Sequence, residues 1–200
     1  MDLFQVSNLK QTPLIKINKW LQEAIDNEVP LPHAMTLATV HSSGKPSSRM
    51  VLLKAISDKG LTFYTDYSSR KGVEIKNNGH TALNFWWAKT GKQIRVEGIC
   101  HKTNLKDSEN YFNARPRGSK VSAFISNQSE EIKDYKILIK KAKELEESLL
   151  GEEINRPERW GGFLLEPVSI EFWTNKPNRL HLRELFSWDS DQWKKTILSP

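Results

Sequence analysis

Ala34-Met35-Thr36-Leu37-Ala38-Thr39-Val40-His41, followed by Ser42-Ser43-Gly44-Lys45 and then Ser47 to Lys54 (SSRMVLLK), is the stretch whose reading decides the fold class. Met35, Leu37, Thr39 and His41 recur every second residue, the period that puts side chains on one face of a strand. The Ser-Ser-Gly-Lys break reads as a hairpin turn into a second strand from about Ser47 to Ile56. Upstream the period changes. Leu14, Ile17, Leu21, Ala24 and Ile25 form a helical stripe that ends at Pro30-Leu31-Pro32, so about residues 1–30 read as a helical lead-in. Downstream, turns at Asp58-Lys59-Gly60, Asn77-Asn78-Gly79 and Lys89 to Gly91 separate strand-like runs at Leu61 to Thr65, His80 to Ala88 and Lys92 to about Thr103. With the hairpin these predict a five-strand meander, interrupted by a short helix after Ser68-Ser69.

The middle of the chain reads as helical. Asn104 can cap a helix to about Ala114, Pro116 interrupts it, and Gln128-Ser129 opens a longer helix whose Ile132, Tyr135, Ile139, Ala142, Leu145 and Leu149 share a face. Strands return at Gly162 to Thr174, Arg179 to Phe186 and Gln192 to Leu198. Strands at both ends with helices between them predict one mainly β domain over residues 1–200, a closed or partly closed antiparallel barrel with peripheral helices.

At 200 residues the chain can bury a core without disulfide or metal support. Its 38% hydrophobic and 27% charged content, with no apolar run of membrane-spanning length, predicts a soluble protein. Met1 to Lys10 shows neither a basic leader with an apolar run nor a small-residue cleavage site, which makes the cytoplasm the expected compartment. The single cysteine, Cys100, lies in an alternating strand and reads as a buried structural thiol. A net charge of +6 favours anions without separating nucleic acid, membrane surface and phosphorylated ligands, so the placement of the cations must decide.

Four clusters matter. In Arg49 to Lys54, alternation sends Arg49, Val51 and Leu53 to one side and Met50, Leu52 and Lys54 to the other; a ligand strand and a protected edge strand both fit. Arg70 and Lys71 follow Ser68-Ser69 at a helix start, where cations oppose the macrodipole and an anion would compensate them. Tyr111, Arg115 and Ser119 surround a Pro/Gly break and could cradle a phosphate monoester, or simply end a helix. In Arg179-Leu180-His181-Leu182-Arg183, strict alternation puts Arg179, His181 and Arg183 on one face, wet or ligand-bearing, with Leu180 and Leu182 toward the core. Trp173 is a nearby aromatic surface on which a planar ring could pack.

Other chemistries find less support. His33, His41, His80, His101 and His181 have no metal-ligand spacing with one another or with Cys100, and no glycine pattern marks a P-loop or dinucleotide turn. The seven tryptophans, Trp86 and Trp87 among them, read as core packing rather than base-stacking platforms.

Taken in order, Arg49 to Lys54, Phe63-Tyr64-Thr65, Ser69-Arg70-Lys71, Gln93, Tyr111 to Ser119, Gln128-Ser129, Trp160-Gly161-Gly162-Phe163 and Ile170 to Arg183 resemble the pyridoxamine 5'-phosphate oxidase family. The likeness runs from about Pro32 to Pro200. It implies a split β-barrel acting as a homodimer, with FMN in clefts between subunits and each site drawing on both chains. It implies FMN contacts from Arg49, Met50, Val51, Leu52, Leu53, Lys54, Tyr64, Thr65, Arg70, Lys71, Gln93, Gln128, Ser129, Trp173 and Arg183. Lys54, Tyr111, Arg115 and Ser119 would hold the substrate phosphate, and Arg179 and His181, with Leu180 between them, would flank the substrate ring as the catalytic pair. No metal is implied. The implied activity is oxidation of pyridoxamine or pyridoxine 5'-phosphate to pyridoxal 5'-phosphate by O2, releasing hydrogen peroxide and, from the amine, ammonia. Met1 to Gln11 lacks the arginine-rich run of many such sequences, and Leu31 replaces an acidic residue. A non-catalytic flavin module on the same barrel is the alternative, against which Arg179, His181 and the phosphate cradle argue. A basic nucleic-acid-binding domain would instead be colourless and bind oligonucleotides in a salt-dependent way; neither nucleic acid nor membrane is an expected partner.

Overall fold

The computed structural model describes residues 4–7, 9–149 and 151–200. Met1, Asp2, Leu3 and Asn8, part of the stretch read for a leader and for an arginine-rich run, lie outside the described residues. A short strand β1 (Gln5–Ser7), absent from the sequence reading of the lead-in, precedes helix α1 (Thr12–Asp26). Pro13 sits in the first turn of α1, where its missing N–H removes no helical bond, and Leu14, Ile17, Leu21 and Ala24 are buried as the stripe predicts. Ile25 faces outward.

The hairpin forms as read, with β2 (Ala34–Val40) and β3 (Pro46–Leu52) in register from Ala34↔Leu52 to Val40↔Pro46. The second strand does not continue to Ile56 as one element. Leu53 N–H donates to His33 but Lys54 N–H donates to Thr62, so the chain changes neighbours at this point and enters β4 (Ala55–Ser57). β4 pairs with β1 in parallel and with β5 (Gly60–Asp66) antiparallel. Gly60 has φ +139°, and a Cβ there would stand 1.9 Å from the Leu165 carbonyl oxygen, so only glycine fits. Helix α2 (Arg70–Asn77), strands β6 (His80–Trp87) and β7 (Lys92–Lys102), helices α3 (Leu105–Ala114), α4 (Arg117–Ile125) and α5 (Tyr135–Leu149), and strands β8 (Trp160–Thr174), β9 (Leu182–Asp189) and β10 (Gln192–Leu198) follow.

The strand order β1-β4-β5-β8-β7-β6-β2-β3 replaces the expected meander. β8 is the reason. One of its edges carries β7, while the other takes β5 along Trp160 to Leu165 and β9 along Ser169 to Thr174. Because β3, at one end of the ladder, runs across Leu53 and Lys54 into β4, the last strand but one at the other end, the sheet wraps round while its ladder stays open. This is the split barrel, mainly β with peripheral helices.

Met35, Leu37, Leu53, Phe63, Phe85, Ile94, Leu165 and Phe172 fill the barrel together with the apolar stripe of α1. A second cluster of Phe112, Val121, Ile154 and Trp160 lies under the helices, joined by Ala142, Leu145 and Leu149 of α5. α5 begins at Tyr135 rather than at Gln128, and Tyr135, Ile139 and the preceding Ile132 are exposed rather than part of one apolar face. Cys100 is buried, and that burial pushes its thiol up to about 12, the inert state expected of a structural cysteine. Among the described residues no helix is long and apolar enough to cross a membrane, and no group of His, Cys, Asp or Glu could hold a metal ion.

Candidate active site

A cavity of about 410 Å³ opens where β3, β5, the start of α2 and the α3–α4 junction meet. Met50, Val51, Leu52, Lys54, Tyr64, Thr65, Lys71, Tyr111, Arg115, Ser119 and Gln128 all line it, which brings most of the residues expected to hold cofactor and substrate phosphate into one space. Leu53 does not; it is fully buried in the barrel core.

On the α2 side, Lys71 is 8% exposed and donates to Gln128 Oε1 at 2.6 Å, Thr65 Oγ1 at 3.2 Å and Ser69 Oγ at 3.2 Å. Burial, reinforced by the charge of Arg49, pushes this ammonium down to about 8. Its hydrogen-bond partners are neutral, so a bound anion would relieve the cost of the buried charge. Ser129, in a left-handed conformation, accepts from the Arg70 backbone N–H at 3.1 Å and ties the 128–129 turn to the helix start. These groups suit a phosphate: a helix start whose Arg70 and Gly72 N–H groups are held only by serine hydroxyls, one desolvated cation and hydroxyls within reach.

Arg49 stands behind this cradle rather than on the cavity wall. Its guanidinium donates to Thr39 Oγ1, the Leu37 carbonyl, Ser47 Oγ and Glu74. Glu74 is the organiser the sequence reading missed. It is 2% exposed and accepts from Thr39, Ser47, Arg49 and Arg70. Burial alone would raise its carboxyl; the hydrogen bonds from Ser47, Thr39 and Arg70 outweigh it and hold the group at about 2. Arg70 and Glu74 are four apart on α2, a spacing that could have revealed the pair.

The substrate side is built from three elements. Tyr111 comes from α3, Ser119 from α4, and Arg115 from the extended residue between them. Tyr111 and Arg115, four apart and read from the sequence as facing the same way on one helix, do not share a helix face, because α3 stops at Ala114; Pro116 disfavours helical backbone in the residue before it. They converge on the cavity regardless. Tyr111 stacks on Tyr64 with ring centroids 3.8 Å apart, and the Arg115 guanidinium lies 4.5 Å from the Trp160 ring centre. Burial pushes Arg115 below its ordinary value, and its Nη1 is buried without a hydrogen-bond partner among the described residues. An unsatisfied guanidinium nitrogen in a cavity is a donor waiting for an anionic oxygen. Trp160 was not among the expected site residues, although it lines the cavity beneath Arg115.

The remaining candidates gather elsewhere. Gln93 is opposite Trp173 across the β7–β8 ladder and donates to Asn84 Oδ1 at 2.8 Å. His181 lies 4.4 Å from the Trp173 ring and accepts the Lys176 N–H on Nδ1. Arg183, also opposite Trp173, makes a bidentate pair with Glu171. Along β8 the path from Trp160 to Trp173 is about 40 Å at the usual rise per residue, and none of Gln93, Trp173, Arg179, His181 and Arg183 lines the cavity.

The RLHLR stretch departs from its expected geometry. Asn178 and Arg179 have φ values of 57° and 60°, which makes residues 177–179 a turn and delays the strand to Leu182. Arg179, His181 and Arg183 therefore do not share a strand face. Leu180 and Leu182, expected in the core, are 69% and 39% exposed.

The wrapped sheet and its cationic cavity define a split-barrel protein. The chain belongs to the pyridoxamine 5'-phosphate oxidase family: residues 21–148 match the family model "Pyridoxamine 5'-phosphate oxidase", and residues 160–200 match "Pyridoxine 5'-phosphate oxidase C-terminal dimerisation region". It is 44% identical to a pyridoxine/pyridoxamine 5'-phosphate oxidase of a Cyanothece species, covering 94% of this chain and 88% of that protein. The corresponding protein of Burkholderia mallei is 42% identical over 97% of this chain and 92% of its own length. Among solved structures, PhzG from Burkholderia lata, in complex with tetrahydrophenazine-1-carboxylic acid, superposes with a TM-score of 0.91 at 33% identity, covering 96% of this chain and 95% of PhzG. A pyridoxamine 5'-phosphate oxidase-related, FMN binding protein from Nostoc punctiforme shares the fold at a TM-score of 0.74 and 16% identity, covering 96% of this chain and 100% of that one.

Proposed function

We propose that the chain is a single-domain, cytoplasmic FMN-dependent oxidase that converts pyridoxamine or pyridoxine 5'-phosphate to pyridoxal 5'-phosphate as a homodimer. The observation that carries this reading is one cavity with two separate demands for an anion: Lys71 among neutral partners on one side, and the unsatisfied Nη1 of Arg115 on the other. The first suits the FMN phosphate and the second the substrate phosphate. FMN, when bound, supplies the two-electron oxidation and hands the electrons to O2, giving hydrogen peroxide.

The chain's residues bind and orient. Lys71, the Arg70 N–H, Thr65, Gln128 and Ser129 hold the cofactor phosphate end, and Arg49 braces them through Glu74. Lys54, Tyr111, Arg115 and Ser119 hold the substrate phosphate, as the common lining of the cavity supports. Gln93, Trp173 and Arg183 complete the cofactor contacts from the second copy, which also brings Arg179, Leu180 and His181 to the substrate ring. With Nδ1 of His181 accepting from Lys176, the neutral imidazole carries its proton on Nε2, the nitrogen left to donate to substrate. A dimerisation region over residues 160–200, where Trp173, His181 and Arg183 lie, supports this two-chain assembly. The single buried thiol suits a reducing compartment.

The likeness to PhzG favours a second reading, oxidation of a ring carboxylic acid without a phosphate. Oxygen consumption with pyridoxamine 5'-phosphate, pyridoxine 5'-phosphate and a dihydroaromatic carboxylic acid separates the two. Under the proposed function the phosphorylated vitamers are consumed, and Arg115→Ala or Lys54→Ala raises their apparent KM about 10- to 150-fold, the loss of a charge-assisted phosphate contact of about 1.5–3 kcal/mol. Turnover of the carboxylic acid alone, or unchanged KM in both variants, would overturn it.

A further inference from the structure

Arg183, opposite Trp173, is held from two sides. Glu171 on β8 is 4% exposed and takes Arg183 Nε at 2.7 Å and Nη2 at 3.1 Å, the parallel two-bond geometry of an arginine fork, while Arg95 Nη1 stands 3.4 Å away. The third nitrogen, Nη1, donates to the Ser199 carbonyl at 3.0 Å. All three guanidinium nitrogens are therefore engaged within the chain, one of them by its last residues. A buried carboxylate that needed only a counter-charge would be satisfied by a single cation in any orientation. A fork on one side with a carbonyl on the other fixes the plane of the guanidinium, and the second hydrogens of Nη1 and Nη2 then point in set directions.

We propose that Glu171, together with the backbone carbonyl of Ser199, is a positioning element that holds Arg183 in the orientation that binds the cofactor. The proposal rests on the assignment of Arg183 to FMN made above. It also places the chain's C-terminal residues in the cofactor site, although neither Ser199 nor Pro200 need touch the ligand.

The sign of the effect separates positioning from charge. FMN is anionic, so removing the Glu171 carboxylate would strengthen binding if only the local charge mattered. If orientation matters, binding weakens. The measurement is release of FMN from the 200-residue chain, followed by recovery of flavin fluorescence after dilution. Glu171→Gln, which keeps the side chain's shape, should speed release about tenfold, the scale typical of losing a partner that orients a ligand-binding group. Deleting Ser199 and Pro200, both exposed, should speed it about threefold, as expected for one neutral hydrogen bond. Arg183→Ala should release at least as fast as Glu171→Gln, and adding Glu171→Gln to Arg183→Ala should change nothing more, because two residues acting through one contact are not additive. Unchanged or slower release from Glu171→Gln, or a full additional loss on the Arg183→Ala background, overturns the proposal. If Arg183→Ala itself releases FMN at the wild-type rate, the assignment of Arg183 to the cofactor fails and the proposal falls with it. Should Glu171→Gln not fold, the terminal deletion carries the test: wild-type release from it overturns the role of Ser199.

Discussion

The two regions that gather the candidate residues differ in what they lack. The cavity around Lys71 and Arg115 is concave and holds a buried cation bonded to neutral groups and a buried guanidinium nitrogen bonded to nothing described. The region around Trp173 is an open sheet face, with β8 paired to β7 on one side and β9 on the other, where the cation is already paired, Arg183 with Glu171, and where Arg179 and Leu180 are exposed. The first is short of an anion. The second is short of a surface to face. Joined by β8 but about 40 Å apart along it, they are complementary halves under the proposed function: the cavity would supply the phosphate-binding end, and the Trp173 face an aromatic and polar wall for a neighbouring copy's cavity.

The largest effect that can break this comparison comes from mixing inactive variants. Lys71→Met disables the cavity half and His181→Ala the Trp173 half, so each homodimer should be nearly inactive. If the halves meet across a two-fold interface, a mixed dimer regains one intact site, and random mixing should restore about one quarter of wild-type activity. Differently tagged chains, co-expressed and assayed before and after isolation of the mixed dimer, provide the measurement. Absence of recovery in an isolated mixed dimer would mean that each site is built within one chain.

The sequence made one half more legible than the other, and the reason is range. The β2–β3 hairpin, the start of α2 and the α3–α4 break depend on neighbours within a few residues, so alternation, Ser-Ser and Ala-Arg-Pro could be read directly. The pairing of β5 with the first half of β8 spans about a hundred residues and leaves no local mark; a meander was the natural default. Around Trp173 the local pattern misled. Leu180 and Leu182 alternate with cations as a strand should, but the left-handed backbone at Asn178 and Arg179 cannot be seen in side-chain periodicity. The Glu171–Arg183 pair depends on register between β8 and β9, so neither residue announced the other. Family resemblance proposed roles for residues in this region, without their geometry.

A smaller but graded effect sharpens the cavity half. Burial and Arg49 lower Lys71 to about 8 in the absence of a bound anion, well under the ordinary lysine value near 10.4. Two consequences have opposite sign. FMN affinity should be highest near pH 7, where Lys71 is charged and the phosphate is largely a dianion, and should fall about twofold by pH 8 and roughly thirtyfold by pH 9.5, as the ammonium is lost. The flavin-free protein should instead gain stability between about pH 8 and 10.4, because the unfolded chain still binds the proton that the folded chain has released. Fluorescence titration and thermal melts across this range test both. A Lys71→Met variant should weaken FMN at every pH and flatten both slopes; a pH-dependent FMN affinity in that variant would assign the titration to another group.

The smallest expected effect lies in the Trp173 half, where expectation and structure part most clearly. Were Leu180 in a core, as alternation predicts, Leu180→Asp would bury an unpaired charge and destabilise the fold strongly. At 69% exposure in the turn after Arg179, the aspartate keeps its water, and the unfolding free energy should change by no more than about 0.5 kcal/mol. Phe186, four residues into β9, is the internal control: it is 5% exposed and packs edge-on against Phe172 with ring centroids 5.7 Å apart. Phe186→Ala should therefore cost about 3–5 kcal/mol, the range for emptying an aromatic site in a core. Denaturant unfolding at one fixed, low protein concentration with FMN removed keeps ligand and subunit linkage from obscuring the difference. Equal losses in the two variants would put Leu180 inside the protein and restore the strand that the 177–179 turn interrupts.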